Sequence, residues 1–179
     1  HKEYRRQRQM CIRDRLPAAR MVDLMHSVIE SGDRVCLEGN NQKQADFLAA
    51  VLCQLDPAQV HDLHMLQSVL ALPEHLDLFE KGIASKLDFS FSGPQGAQLA
   101  RLVAAGKINI GAIHTYLELF GRYFIDLTPR VALIAAQAAD RHGNLYTGPN
   151  TEDTPAIVEA TAFRTVSYTH LTLPTILLV

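Results

Sequence analysis

Residues 34–55 read RVCLEGNNQKQADFLAAVLCQL, and this stretch decides the fold. Residues 34–38 form a short, mostly apolar run with a β-branched valine, which reads as a strand. Gly39-Asn40-Asn41 breaks it. Beyond the break, Ala45, Leu48, Ala49 and Leu52 recur at helical spacing, so a helix runs from Gln42 to Leu55 and stops before Pro57. Strand, polar turn and helix make the first half of a βαβ unit.

The same alternation extends in both directions. Upstream, Met21, Leu24, Met25, Val28 and Ile29 mark an amphipathic helix over residues 16–30, with a stop at Gly32. Downstream, strands are expected within 60–69, 86–91, 108–113 and 131–136, with helices opening at Pro73, Gln95 and His114. The turn 140–144 leads to a short strand at Leu145-Tyr146, and Thr154-Pro155 opens a last helix that is expected to run to Thr165. The strands are short and apolar, and most do not alternate cleanly. That pattern specifies an α/β fold: an open, mostly parallel sheet with helices on both faces and ligands at the carboxyl ends of the strands.

The two ends of the chain read differently. Residues 5–14, RRQRQMCIRD, can be spelled cgt cgg cag cgt cag atg tgt ata aga gac. The reverse complement of that DNA translates to VSYTHLTLPT, which is residues 166–175. Unrelated protein segments almost never share such a relation, and the DNA resembles the transposase mosaic end and primer tail of sequencing libraries. Residues 1–15 and 166–179 are therefore expected to be appended, leaving 16–165 as one incomplete α/β domain that stops in mid-fold at its C-terminal end. An uncovered sheet edge is expected there.

Setting the flanks aside changes the charge. The first fifteen residues hold six basic and two acidic side chains and the last fourteen hold none. Of the chain's 17 basic and 19 acidic residues, 11 and 17 then remain in 16–165, a net charge of −6. An acidic segment argues against a nucleic-acid partner. No apolar run is long enough for a bilayer, and no secretory h-region follows the basic start. Cys36 and Cys53 lie in apolar stretches as small core residues without framework spacing, which points to the cytoplasm.

Two loops are candidates for chemistry. Gly39, Asn40, Asn41 and Gln42, followed by Lys43, sit between a strand and a helix, where outward N–H groups and the helix start suit a phosphate, a carboxylate or an oxyanion. The loop lacks both GxxxxGK[ST] and GxGxxG, and an ordinary Asn-capped turn is the competing reading. Thr151, Glu152 and Asp153 form a second polar loop before a helix, or simply its cap. His114 with Thr115, Tyr116 and Glu118 follows a strand, where a histidine serves as an acid/base or, more commonly, packs or caps. His61 and His64 have a spacing that can bind metal on a helix, but the segment reads as extended and no third ligand is well spaced, so no metal is expected. Ser92 is not on a nucleophile elbow.

Five ordered segments carry a resemblance: residues 32–49 (GDRVCLEGNNQKQADFLA), 61–65 (HDLHM), 73–95 (PEHLDLFEKGIASKLDFSFSGPQ), 111–129 (GAIHTYLELFGRYFIDLTP) and 139–156 (ADRHGNLYTGPNTEDTPA). Together they resemble the malonate decarboxylase α subunit over nearly all of 16–163, in its N-terminal part. Citrate lyase α subunits and family I CoA transferases are more distantly similar, sharing a turn like Asp140 to Asn144.

The resemblance implies a CoA-transferase-like fold and an acyl exchange in which malonate replaces acetate on the thiol of an acyl carrier protein. It implies a CoA-derived prosthetic group on that partner rather than a cofactor bound covalently here, and partner subunits that decarboxylate the malonyl group. It places thioester or carrier-arm contacts at Gly39 to Gln42, with Thr151 and Glu152 as further contacts. Related transferases use a glutamate nucleophile in their later half, so that residue is expected beyond Thr165, and none of Glu38, Glu118 and Glu152 is matched to it. The fragment is expected to be inactive alone. A citrate lyase α-type or acetate CoA transferase is the alternative within the class, and a non-catalytic phosphate- or nucleotide-binding module is the alternative outside it.

Sequencing the source DNA across the 15/16 and 165/166 junctions is expected to show a frame that continues past Thr165 in family-like sequence. A genome that encodes VSYTHLTLPT followed by a stop would overturn the appended-flank reading.

Overall fold

A computed structural model describes residues 15–39, 45–139, 145–147, 152–161, 163–168 and 175–178. In chain order the elements are β1 (Arg15–Pro17), α1 (Met21–Val28), β2 (Arg34–Leu37), α2 (Asp46–Leu52), β3 (Leu63–Val69), α3 (Glu74–Glu80), β4 (Ala84–Phe91) and α4 (Gly96–Ala104). Then follow β5 (Asn109–Ile113), α5 (Tyr116–Arg122), β6 (Val131–Ala136), β7 (Ala138–Ala139), β8 (Leu145–Tyr146), α6 (Thr154–Ala160), β9 (Phe163–Tyr168) and β10 (Thr175–Leu178).

The main sheet has the order β1-β10-β9-β6-β2-β3-β4-β5, and β7 pairs with β8 separately. The run from β9 to β5 is parallel throughout, and β10 and β1 add to it antiparallel. The chain steps from β2 out to β5, then returns to place β6 on the other side of β2. Right-handed crossovers put the connections of the outward steps on one face and those of the return on the other. The packing obeys this. Met25, Leu48, Leu76 and Leu99, from α1 to α4, share a core with Val35, Leu37, Met65 and Leu87. Leu119, Tyr123 and Ile157, on or beside α5 and α6, meet Cys36, Leu66 and Ile134 on the opposite face. Strands covered on both faces need apolar residues at every position, which is why these strands show no clean alternation.

Gly32 adopts a φ of +83°, which supplies the left-handed turn between α1 and β2. The last helix is shorter than the sequence suggests. It ends at Ala160, Thr161 is extended, and the chain re-enters the sheet as β9 rather than staying helical to Thr165. Phe163, Thr165, Val166 and Tyr168 favour a strand, and the free edge of β6 gives them a backbone partner. Residues 40–44, 140–144 and 148–151 lie outside the described set, including Asn40, Asn41, Gln42, Lys43 and Thr151.

β5 ends the sheet and is joined to it by more than its ladder. Asp88 of β4 is buried, with Oδ2 2.6 Å from His64 Nε2 and Oδ1 2.7 Å from His114 Nε2. Burial pushes the Asp88 carboxyl up, but the hydrogen bonds from both histidines outweigh it and hold the group below the usual aspartate range. Gly111 of β5 faces this carboxylate so closely that a Cβ would lie 2.0 Å from Oδ2. With both oxygens tethered, Asp88 cannot swing away, so β5 itself must shift. Gly111→Ala is expected to cost about 1–3 kcal/mol as overpacking, read as a lower urea midpoint, and an unchanged midpoint would show the Asp88 tether to be loose.

Candidate functional site at the carboxyl edge of the sheet

β2 lies between β3 and β6, where the direction of winding reverses. An open parallel sheet forms its crevice at the carboxyl ends flanking such a point. Glu38 and Gly39 leave β2 at this place, and both are buried.

Glu38 ties three elements together. Its backbone N–H donates to the Leu133 carbonyl at 3.0 Å and its own carbonyl accepts from Ala45 N–H at 3.3 Å, at the start of α2. In β6, Leu133 turns its carbonyl toward β2, and Ala135, two residues on, turns its N–H the same way. Past the end of β2 that N–H has no strand carbonyl to meet, and Glu38 Oε2 accepts it at 2.7 Å. The Thr154 hydroxyl at the start of α6 donates to Oε1. A fully buried carboxylate needs such donors, and charge-assisted bonds are the stronger kind.

Beside it, the Ser68 hydroxyl of β3 lies 2.6 Å from the Gly39 carbonyl and 2.6 Å from Asp153 Oδ2. Asp153 is completely buried and its Oδ1 has no hydrogen-bond partner among the described residues. Burial drives the Asp153 acid upward, the Ser68 bond opposes this, and the neighbouring Glu38 carboxylate adds to the rise, giving a pKa of about 7. Asp153 occupies the cap position of α6 but makes no side-chain capping bond, because the carboxyl is committed to β3.

Toward the β5 side, an open cleft of about 480 Å³ is lined by Ser90, Phe91, His114, Thr115 and Tyr116. Burial first, and the Glu152 and Asp153 carboxylates second, raise the Tyr116 phenol, so cleft and acid cluster share one electrostatic environment. His114 is buried against Asp88, with Nδ1 3.3 Å from Glu118 Oε1. Thr115 caps α5, accepting from Glu118 N–H at 3.2 Å. The packed and capping roles weighed for this segment are the ones its side chains fill.

The other candidates separate. Glu152 is exposed with a φ of +22°, a strained turn that carries the next residue, Asp153, inward. His61 is exposed and pairs with Asp62 at 2.9 Å, whereas His64 points from β3 to Asp88, so the two histidines face different partners. Ser92 precedes the short turn Gly93–Gln95 and lines no part of the cleft. Burial, then the Asp153 charge, raises the Cys36 thiol well above its usual value, although its contact with the Tyr123 hydroxyl opposes this. Burial raises the Cys53 thiol to about 11. Neither is a nucleophile at neutral pH. Ser68 is a functional candidate that the sequence did not single out, whereas Asp153 stood in the second polar loop without being told apart from its neighbours. Their only mark in the sequence is that polar residues stand at the ends of apolar strands or beside helix starts.

Comparison with known proteins agrees with this geometry. The family model described as malonate decarboxylase, alpha subunit, transporter matches residues 1–168. The acetyl-S-ACP:malonate ACP transferase of Malonomonas rubra is 60% identical over 149 residues, covering 83% of this chain and 27% of that protein. A solved Pseudomonas malonate decarboxylase hetero-tetramer in complex with malonate superposes with a TM-score of 0.80 at 59% identity, over 82% of this chain and 27% of its own. Glutaconate coenzyme A-transferase from Acidaminococcus fermentans shares the fold, with a TM-score of 0.63 at 14% identity over 84% of this chain and 65% of its own. The chain thus spans about a quarter of the length of the Malonomonas rubra and Pseudomonas relatives. A match over almost the whole chain, joined to an open parallel sheet with its site at the switch point, means that the chain belongs to the malonate decarboxylase α-subunit family.

Proposed function

We propose that this chain is part of a subunit that moves an acyl carrier protein thiol from acetate to malonate, converting acetyl-S-carrier and malonate into malonyl-S-carrier and acetate. The observation that carries this is the buried Glu38 anchor at the end of β2, which fixes Gly39 at the mouth of the crevice. The high identity to the Malonomonas rubra transferase supports the chemistry.

In this reading Gly39, Asn40, Asn41 and Gln42 hold the thioester carbonyl or the carrier arm, and N–H groups there stabilise the oxyanion of acyl transfer. In the same reading Thr151 and Glu152 supply further contacts to the carrier arm. The glutamate nucleophile belongs to the part of the subunit beyond Thr165, and a nucleophilic carboxylate would form an anhydride and then an enzyme thioester. The CoA-derived group is carried by the acyl carrier protein, and decarboxylase subunits act on the malonyl product. The setting is cytoplasmic. Among the described residues, no helix is long and apolar enough to cross a membrane. Residues 1–15 and 166–179 are appended sequence in the same reading.

The test is mass spectrometry of the acetylated carrier, incubated with malonate and the complete subunit containing these residues. Expected is a shift from acetyl- to malonyl-carrier with release of acetate, no reaction with the present chain alone, and at least a tenfold loss of kcat/KM in Glu38→Ala. Exchange with citrate or acetate donors but not malonate would reassign the subunit within the class. Phosphate binding without any acyl exchange would overturn the transferase reading.

A further inference from the structure

One hydroxyl proton and two acceptors meet at Ser68. Its Oγ lies 2.6 Å from the Gly39 carbonyl oxygen and 2.6 Å from Asp153 Oδ2, and all three groups are buried. A serine hydroxyl donates once, and a backbone carbonyl only accepts. If Ser68 gave its proton to Asp153, its lone pair would face the Gly39 carbonyl at 2.6 Å with no hydrogen between them. If Ser68 gives its proton to Gly39, the contact with Asp153 needs a proton on Oδ2. Only the second arrangement makes both short contacts hydrogen bonds, since oxygens this close require a hydrogen between them.

We propose that Asp153 is a neutral carboxylic acid that donates to Ser68, and so acts as the positioning residue that directs the Ser68 proton onto the Gly39 carbonyl. Ionisation of Asp153 draws the Ser68 proton to the carboxylate and frees the Gly39 carbonyl. The consequence for acyl transfer rests on the proposed role of residues 39–42. The protonation itself does not.

The surroundings favour the neutral form. Glu38 faces Asp153 from the end of β2, Glu152 adjoins it in its own turn, Cys36 approaches from β2, and Tyr116 and Tyr123 approach from α5 and its end. These are carboxylates, a thiol and phenols, each of which would repel a second charge if ionised. Burial and Glu38 raise the acid to about 7 against the opposing Ser68 bond, so its ionisation falls in an accessible range. The sign follows. A group whose folded pKa exceeds its unfolded value contributes stability that is complete below the unfolded pKa and is lost as pH rises through the folded one. For Asp153 that loss runs from about pH 4, the unfolded aspartate value, up to about pH 7.

The experiment uses the full chain labelled with ¹³C-carbonyl glycine and ¹⁵N-asparagine. Only Gly39 and Gly143 precede an asparagine, so two carbonyl signals are selected, and a Gly39→Ala variant, which loses one of them, tells them apart. Expected is a Gly39 signal that shifts with a midpoint near neutrality in the wild type. Asp153→Asn, whose amide can donate to Ser68 at every pH, should hold Gly39 at its low-pH position throughout. Ser68→Ala should remove the titration. Infrared spectra should show a protonated carboxyl band at pH 5.5 that fades by pH 8.5 and is absent in Asp153→Asn. In urea, Asp153→Asn and wild type should have similar midpoints at pH 4, and the variant should be the more stable at pH 8.

A wild-type Gly39 signal that does not titrate, an Asp153→Asn signal that titrates as the wild type does, or a missing carboxyl band would each overturn the proposal. Malonate exchange together with a static Gly39 signal would remove this proposal and leave the transferase reading intact. A titrating Gly39 signal without exchange would do the reverse.

Discussion

A buried carboxylate at the end of β2 is the constraint on which the rest of this structure depends. Glu38 has no solvent contact, so it must be fully provided with donors or be expelled. Its donors come from the β6 backbone at Ala135 and from the first residue of α6, Thr154, which are 97 and 116 residues away in sequence. One side chain therefore joins the strand where winding starts outward, the strand where it returns, and the helix that covers the return face. The two apolar cores on either side of the sheet supply most of the stability, but neither of them fixes the relative height of these three termini. The acid does.

The site built on this anchor is crowded with acids. Glu38, Asp153 and Glu152 lie together, with Asp88 and Glu118 toward the β5 side. Two ionised carboxylates in one buried pocket are strongly disfavoured, and the usual relief is for one to stay protonated. Here Asp153 takes that part, with the Ser68 hydroxyl as its partner. The arrangement at Asp88 has the opposite solution, an ionised acid bonded by two imidazoles, so the same side chain is an acceptor in one place and a donor in the other. Each proton retained in the first way lowers the negative charge gathered at the crevice.

Much of the fold was legible in the sequence. The apolar runs at 34–38 and 131–136 already specified strands covered on both faces, and residues 45–52 specified the helix that follows. The end of α6 falls short of Thr165 because residues 156–165 hold no glycine or proline to mark a stop, and the free edge of β6 draws the chain out of the helix. The site was legible only in outline. The reversal at β2 and the polar loop after it could be placed, but nothing in residues 60–69 set Ser68 apart as the residue that meets the loop and α6. Two adjacent acids, Glu152 and Asp153, are equivalent as letters. A backbone φ of +22° at the first makes the second the buried one, and no local pattern encodes that choice. The Asp88 cluster joins residues 24 and 26 positions apart, on β3, on β4 and just past β5, which only the sheet order can bring together.

The central claim, that the Glu38 carboxylate couples the end of β2 to the start of α6, is tested most directly by a double-mutant cycle. Unfolding free energies would be measured in urea for wild type, Glu38→Gln, Thr154→Val and the double variant. The account predicts a coupling of about 0.5–3 kcal/mol, the range for residues that share a hydrogen-bond network. Additive effects would contradict it and make the two residues independent neighbours.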